Sequence, residues 1–340
     1  MTEVCQTVDQ VREWRALLDA RVVAVETRLA EVGFVPTMGF LHEGHLSLVR
    51  RAAAENDAVV ASIFVNPSQF DRADDLANYP RDLERDLELL TGAGCHMAFV
   101  PASGEMYPPG YQTWIEVGPV ALPLEGRLRP GHFRGVATVV AKLFGIVEPA
   151  RAYFGRKDAQ QLAVIKTMVR DLNIPVDVIG CPTVREPDGL AMSSRNSRLG
   201  PTERVAAPVL HRALVAARDA WQAGETDADR LREVMQAVLD AEPLAEAEYV
   251  SVADPVSLDE LDDATAGALL SMAAQVGPVR LIDNLVLEPP ESALGAGDVS
   301  AETSGGVDPT HDEPTHREPE DSDSSHDEPR LARGATDSAR

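Results

Sequence analysis

Along the first 180 or so residues, short apolar runs alternate with stretches whose apolar positions recur every three or four residues. The run at 58–65 (AVVASIFV) is almost continuously apolar, as suits a parallel strand covered on both faces. Asn66-Pro67 ends it. Further strands are predicted at 33–36, 96–100, 150–154 and 176–180. Helical patterns fall between them: a short helix over 8–18, one over 81–90 with Leu83, Leu87 and Leu90 on one face, and one over 158–172. Another begins near His45, with Leu46, Val49 and Ala53 at helical spacing and Arg50 and Arg51 in solvent. The clearest is 135–147, where Val136, Val139, Val140, Leu143, Phe144 and Val147 form one stripe. Strands alternating with helices imply a parallel α/β sheet with right-handed crossovers, which takes ligands beyond the carboxyl ends of its strands.

The pattern then changes. Residues 202–223 and 227–240 read as two long helices rich in Ala and Leu. Strand-like runs follow at 247–253, 267–276 and 279–287, the last two separated by a Gly277-Pro278 turn. This predicts an α/β domain over 1–186 and a smaller α+β domain over 187–289, joined near 186–192. From about Pro289 the periodicity stops. Residues 291–340 carry 13 acids against 4 Arg and no Lys, and repeat His-Asp-Glu-Pro at 311 and 326 with His-Arg-Glu-Pro at 316. Such a segment buries too little apolar surface to offset its ordering entropy, so 290–340 is expected to be a disordered acidic tail. Its histidines beside acids suit either weak metal binding or an inert solvated tail.

Charge narrows the partners. The net charge is −24, of which the last fifty residues hold −9 and the rest −15. A body this acidic has no sequence-independent attraction for nucleic acid. A local cationic pocket can still take small anions. No apolar run approaches the ~18–20 residues of a membrane span, and the opening MTEVCQTVDQVREW lacks the basic start and apolar stretch of a signal peptide. The three cysteines, Cys5, Cys95 and Cys181, show no paired spacing, which fits a reducing cytoplasm and gives no zinc signature.

Three segments carry the candidate chemistry. Pro36-Thr37-Met38-Gly39-Phe40-Leu41-His42-Glu43-Gly44-His45 lies between the first long strand and its helix. A helix N-terminus offers unpaired N–H groups and the positive dipole end, so phosphates dock there. His42 and His45, one turn apart, can donate to them, and Gly39 and Gly44 let the backbone approach closely. A shared metal or a pair of solvated histidines would also fit the two rings, although HEGH is not HExxH and no third ligand is apparent. Ala191-Met192-Ser193-Ser194-Arg195-Asn196 follows the last strand of the series. Its hydroxyls, N–H groups and forked cation suit phosphate oxygens, though MSSR alone reads equally as a surface loop. Gly155-Arg156-Lys157-Asp158-Ala159-Gln160-Gln161 marks a strand-to-helix turn. There Lys157 can neutralise triphosphate charge, and Asp158 can cap the helix, hold a magnesium water, or both.

The first two segments resemble the HIGH and KMSKS motifs of the adenylate-forming nucleotidyltransferases. With Phe64-Val65-Asn66-Pro67-Ser68-Gln69-Phe70, His132-Phe133-Arg134-Gly135-Val136-Ala137-Thr138-Val139-Val140, Pro182-Thr183-Val184-Arg185-Glu186 and Leu281-Ile282-Asp283-Asn284, the chain resembles the pantothenate synthetase family from about residue 8 to 288. The resemblance implies a Rossmann-like nucleotide domain, a C-terminal lid and a homodimer. It implies ATP-dependent condensation of pantoate with β-alanine through pantoyl adenylate, with Mg2+. It places ATP on residues 38–45, on Gly155, Arg156, Lys157 and Asp158, on Val184, and on Met192, Ser193, Ser194 and Arg195. It makes His45 the proton donor, with His42, Lys157 and Arg195 sharing the phosphate charge. Gln69 and Gln161 become pantoate ligands, Gln69 also near β-alanine; the apolar Pro36 and Phe64 suit either contact with the dimethyl group or simple packing. The family usually has an acid where Arg156 stands, and the tail lies outside its pattern. A nucleotidylyltransferase acting on another acid or phosphate would need a cationic acceptor site where this chain offers Gln69 and Gln161. A tRNA-charging enzyme fits poorly with the acidic surface and the absent anticodon-binding region. A catalytically silent ATP-binding regulator would not need to retain both histidines, Lys157 and MSSR.

Overall fold

Five of the predicted strands and a short edge strand that sequence reading missed build one parallel sheet in the order β1-β4-β3-β2-β5-β6 in the computed structural model, which describes residues 1–71 and 73–289. The strands are β1 (Glu3–Cys5), β2 (Val32–Thr37), β3 (Ala58–Ile63), β4 (Met97–Phe99), β5 (Arg151–Gly155) and β6 (Asp177–Cys181). Alternate side chains enter opposite layers. Phe34, Val60, Ala152 and Phe154 face one apolar cluster, while Val35, Val59, Ala61 and Tyr153 face the other. Residues of the helices Val8–Glu26, His132–Val147 and Ala159–Asp171 pack in the first cluster, and residues of Glu43–Glu55 and Leu83–Gly92 in the second.

Strand order reverses at β2. The chain runs β2 to β3 to β4 in one direction and β5 to β6 in the other. The crevice beyond the carboxyl ends of β2 and β5 is therefore the expected ligand site.

The C-terminal part is a three-stranded antiparallel sheet, β7 (Ala245–Ala253), β8 (Ala268–Val276) and β9 (Val279–Leu287), packed on the helices Val209–Gln222 and Ala228–Asp240. β8 is central and buried nearly throughout. Gly277, at φ +56, makes the turn between β8 and β9.

Several expectations shift. The first helix runs to Glu26 rather than stopping at 18, because its second half lies on the surface with Val25 81% exposed. The long helix over 202–223 is two, Pro201–Ala206 and Val209–Gln222, since Pro208 has no N–H to continue the ladder. Ala53 is exposed, and the neighbouring Ala52 is buried instead. No helix among the described residues is long and apolar enough to cross a membrane. The described residues all fall within one compact unit. The expected disordered tail and its histidines lie outside the described residues.

Candidate active site

Four loops leave the carboxyl ends of β2, β3, β5 and β6 and meet in one cleft, which holds about 1420 Å³ of empty space open to solvent. Met38, His42, Gly44, His45, Gln69, Gly155, Lys157, Asp158, Gln161, Val184, Met192, Ser193, Ser194 and Arg195 all line it. Pro36 and Phe64 line it too, beside Val139, Val140 and Leu143.

Five sequence candidates are not in the wall. Leu41 is buried in the core. Glu43 is exposed and pairs with Arg50. Gly39 and Phe40 shape the turn before the helix, at φ +84 and +51. The exposed Arg156 runs along β6 beside Gly180, so the charge reversal at this position lies outside the cleft.

A left-handed Phe40 carries backbone strain of about 1–3 kcal/mol, which surrounding contacts must offset. Asp86, only 1% exposed, supplies them: its two carboxylate oxygens accept the N–H groups of Phe40 and Leu41, each at 2.7 Å. Burial pushes its carboxyl pKa up, and the two N–H donors offset only part of that. Arg85 donates to Leu41 O at 3.0 Å. The histidine loop is thus held from the helix Leu83–Gly92, a dependence that sequence reading missed.

At the helix start, His42 N–H donates to His45 Nδ1 at 3.4 Å, which leaves Nε2 as the protonated, donating nitrogen of a neutral ring. Burial, then the neighbouring His42, pushes the His45 pKa down to about 3. Burial and Lys157 push His42 down to about 4. Both rings are neutral donors in the free protein. A Cβ on Gly44 would stand 2.9 Å from His42 Cε1 and Nδ1, and 3.8 Å from Met192 Cβ. Gly44→Ala should therefore displace the His42 ring and lower activity by on the order of 10²-fold, the cost of a misplacement of about 1 Å. Ala is the better helix former by about 1 kcal/mol, so melting temperature should hold or rise. Parallel kinetics and thermal melts check this, and an undiminished rate would mean His42 is not needed where it stands.

Lys157 Nζ lies 3.5 Å from Asp158 Oδ1. Burial would raise the Asp158 carboxyl, but Lys157 and Arg195 outweigh it and hold the group below its usual range. Although deep in the cleft, the Asp158 side chain keeps 46% of its surface open to water. Of the adjacent glutamines, Gln160 is buried and bonds Glu125 N, Val120 O and Pro123 O at 2.8–3.1 Å. Gln161 faces the cleft.

Gln69 is held from several sides. Asn66 Nδ2 donates to Gln69 Oε1 at 2.9 Å. Gln69 O receives Arg129 Nη2 at 3.2 Å and His132 Nδ1 at 2.8 Å. Burial, then Arg129, lowers the His132 pKa to about 4, so this ring too is neutral. Gly135 lets its helix press against the Ser68–Gln69 backbone, where any Cβ would collide. Arg129 and His132 also line the cleft and were not singled out from sequence; His132 stood in a quoted segment, whereas Arg129 follows a loop without pattern.

The MSSR loop is tied down on both flanks. Ser193 Oγ accepts Arg195 N at 3.3 Å, and Met192 N donates to Val184 O at 3.0 Å. Tyr79 OH lies 3.3 Å from Ser194 Oγ, and Asp75 takes Arg195 at 3.4 Å and Arg198 at 3.0 Å. Gly189 sits at φ +93 with the His211 ring where a Cβ would be, so only glycine fits this turn.

A helix N-terminus, neutral histidines and the cations Arg129, Lys157 and Arg195 make an arrangement that can take phosphate groups, and the same cleft carries amide and apolar side chains. The pantoate-beta-alanine ligase family model matches residues 3–286. A pantothenate synthetase of Roseiflexus castenholzii is 62% identical over 76% of this chain and 92% of its own length. That of Herpetosiphon aurantiacus is 55% identical over 84% and 100%. The crystal structure of the Thermus thermophilus enzyme superposes with a TM-score of 0.78 at 49% identity, covering 85% of this chain and all of that one. A Francisella tularensis pantoate-beta-alanine ligase, solved with β,γ-ATP and β-alanine, gives 0.67 at 34% identity, covering 84% of this chain and 98% of that one.

Proposed function

The chain belongs to the pantoate–β-alanine ligase family, and from that premise we propose how its own residues carry the reaction. The enzyme condenses pantoate with β-alanine at the expense of ATP, releasing AMP and pyrophosphate. A carboxylate is a poor acyl donor. Attack of the pantoate carboxylate on the α-phosphate forms pantoyl adenylate and expels pyrophosphate. The β-alanine amine then forms the amide bond, and AMP leaves.

In this reading the observation that carries most weight is the meeting of His42, His45, Lys157 and Arg195 in one cleft, with Gln69 and Gln161 in the same space. The imidazoles donate to the phosphates as charge develops, and the two cations hold the triphosphate. Gln69 and Gln161 take the hydroxyls and carboxylate of pantoate without adding charge. Pro36, Phe64 and Val140 cover its dimethyl group.

Among the described residues lining the cleft, Asp158 is the single carboxylate. One ionised carboxylate fits a magnesium ion that is held mainly by substrate phosphates and water. When bound, that ion would neutralise charge on the phosphates. The division into a nucleotide- and pantoate-binding half, 1–186, and a covering half, 187–289, belongs to the same proposal, as do a homodimer and a cytoplasmic location.

Removing residues 291–340 should leave turnover and melting temperature nearly unchanged. The family match ends at 286, and the last strand ends at Leu287. Steady-state kinetics and melts of both forms check this, and a loss of several degrees would show that the tail docks on the fold. Substrate-dependent pyrophosphate exchange, treated in the Discussion, tests the whole reading.

A further inference from the structure

Two neighbouring residues of β9 line the pocket that adjoins the cleft and shares Lys157, Asp158, Gln161, Ser193 and Arg195 with it. Asn284, 7% exposed, donates through Nδ2 to the carbonyl oxygens of Arg156 at 3.0 Å and Lys157 at 2.6 Å. Asp283, 4% exposed, takes Arg185 bidentately at 2.6 and 2.9 Å. Arg185 in turn donates to Gly189 O at 3.0 Å and Asn284 O at 3.2 Å. Arg185 and Ala191 also pair as an antiparallel bridge, and the chain passes from Ala191 directly into the MSSR loop. One strand of the C-terminal sheet therefore grips the backbone of Lys157 with one residue and the base of the Arg195 loop with the next.

We propose that Asp283 and Asn284 are positioning residues that set the spacing between Lys157 and Arg195, the two cations of the triphosphate site. The proposal rests on the reading of the cleft given above. The chemistry of each side chain fits the task. An Asn amide can satisfy two carbonyls with its two hydrogens, which no carboxylate can do. The bidentate Arg–carboxylate fork fixes orientation as well as distance. The two devices share β9, so a shift of that strand moves both cations together. The effect falls on the pyrophosphate end of the nucleotide, not on its nucleoside or on pantoate.

The test compares full-length wild type, Asn284→Asp, Asn284→Ala and Asp283→Asn. Asn284→Asp keeps the side-chain shape but turns an acceptor toward the two carbonyls, so it should be the more damaging change at that position. Dissociation constants for ATP and for AMP are measured by calorimetry, alongside pantoate-dependent pyrophosphate exchange. ATP binding should weaken roughly tenfold or more, as expected for cations displaced by a fraction of an ångström. AMP binding and the pantoate KM should stay within about twofold, a difference too small to count as a lost contact. Leu239→Ala serves as a stability control, because Leu239 is 1% exposed in the C-terminal core and lines neither the cleft nor the adjoining pocket. It should lower the melting temperature and leave the ATP-to-AMP affinity ratio as in wild type. An unchanged ratio in Asn284→Asp, or an equal change in Leu239→Ala, overturns the positioning role. If wild type itself shows no pantoate-dependent exchange, the reading of the cleft fails first and takes this proposal with it.

Discussion

Replacing His45 with Ala should lower the rate of adenylation by on the order of 10²–10³, the usual cost of one preorganised donor. The pantoate dissociation constant should change far less. The reason lies in when the contact forms: an imidazole N–H that meets phosphate oxygens as they gain charge stabilises the transition state alone, and such contacts appear in the rate. The structure specifies how the ring would do this. His42 N–H occupies Nδ1, so Nε2 carries the proton. Burial and His42 bring the pKa down to about 3, so the ring is neutral from about pH 5 to 8. The active, neutral form is present above that pKa and is lost only as pH falls toward it. The profile of kcat/KM for ATP should then show no step near 6.5 from this residue. Single-turnover kinetics across pH decide the matter. An acid step near 6.5 that vanishes in His45→Ala would mean the ring works as an imidazolium. Weakened pantoate binding at an unchanged rate would make His45 a substrate-positioning group.

With ATP, magnesium and pantoate but no β-alanine, labelled pyrophosphate should enter ATP. The adenylate forms before the amine is needed, and the covering half proposed above would keep water from it long enough for it to reverse. Leaving out pantoate should abolish exchange, because no other carboxylate is in place to attack. Lys157→Ala should suppress exchange by on the order of 10²-fold or more, since it removes one of the three cations that line the cleft, the one proposed to balance the triphosphate with Arg195. Adding β-alanine should divert the intermediate to AMP and pantothenate. Exchange that required β-alanine would rule out a free-standing adenylate. Exchange without pantoate would remove the carboxylate as nucleophile, and the assignment of the reaction with it.

The central strands were legible in the sequence because their middles are buried on both faces, β3 most of all as a nearly continuous apolar run. β1 was not: it has three residues, and both Glu3 and Val4 are exposed. Pro208 was visible, but the stripe of Val209, Leu210, Ala213, Leu214 and Ala217 runs on in register with the residues before it and hides the break. At the site, the residues that touch small molecules were legible through their motifs, since such chemistry needs particular side chains at short spacing. Their supports were not. Asp86 lies in LERDLELL, where an acid looks solvated, and only the tertiary approach of Phe40 and Leu41 explains it. Arg129 has no local pattern at all, and its meaning comes from Gln69, sixty residues away.

The three cysteines are free and buried, and they are spread across one sheet. Cys5 ends the edge strand β1, and Cys181 ends the opposite edge strand β6. Cys95 lies just before β4, where burial pushes its thiol up to about 12. Burial raises the other two thiols as well, so none is a ready nucleophile in the folded state. An alkylating reagent therefore has to wait for the chain to open. A three-residue edge strand opens at lower free energy than the sheet interior. The order in which the thiols become reactive is accordingly a built-in record of how this sheet comes apart, readable by mass without any introduced label.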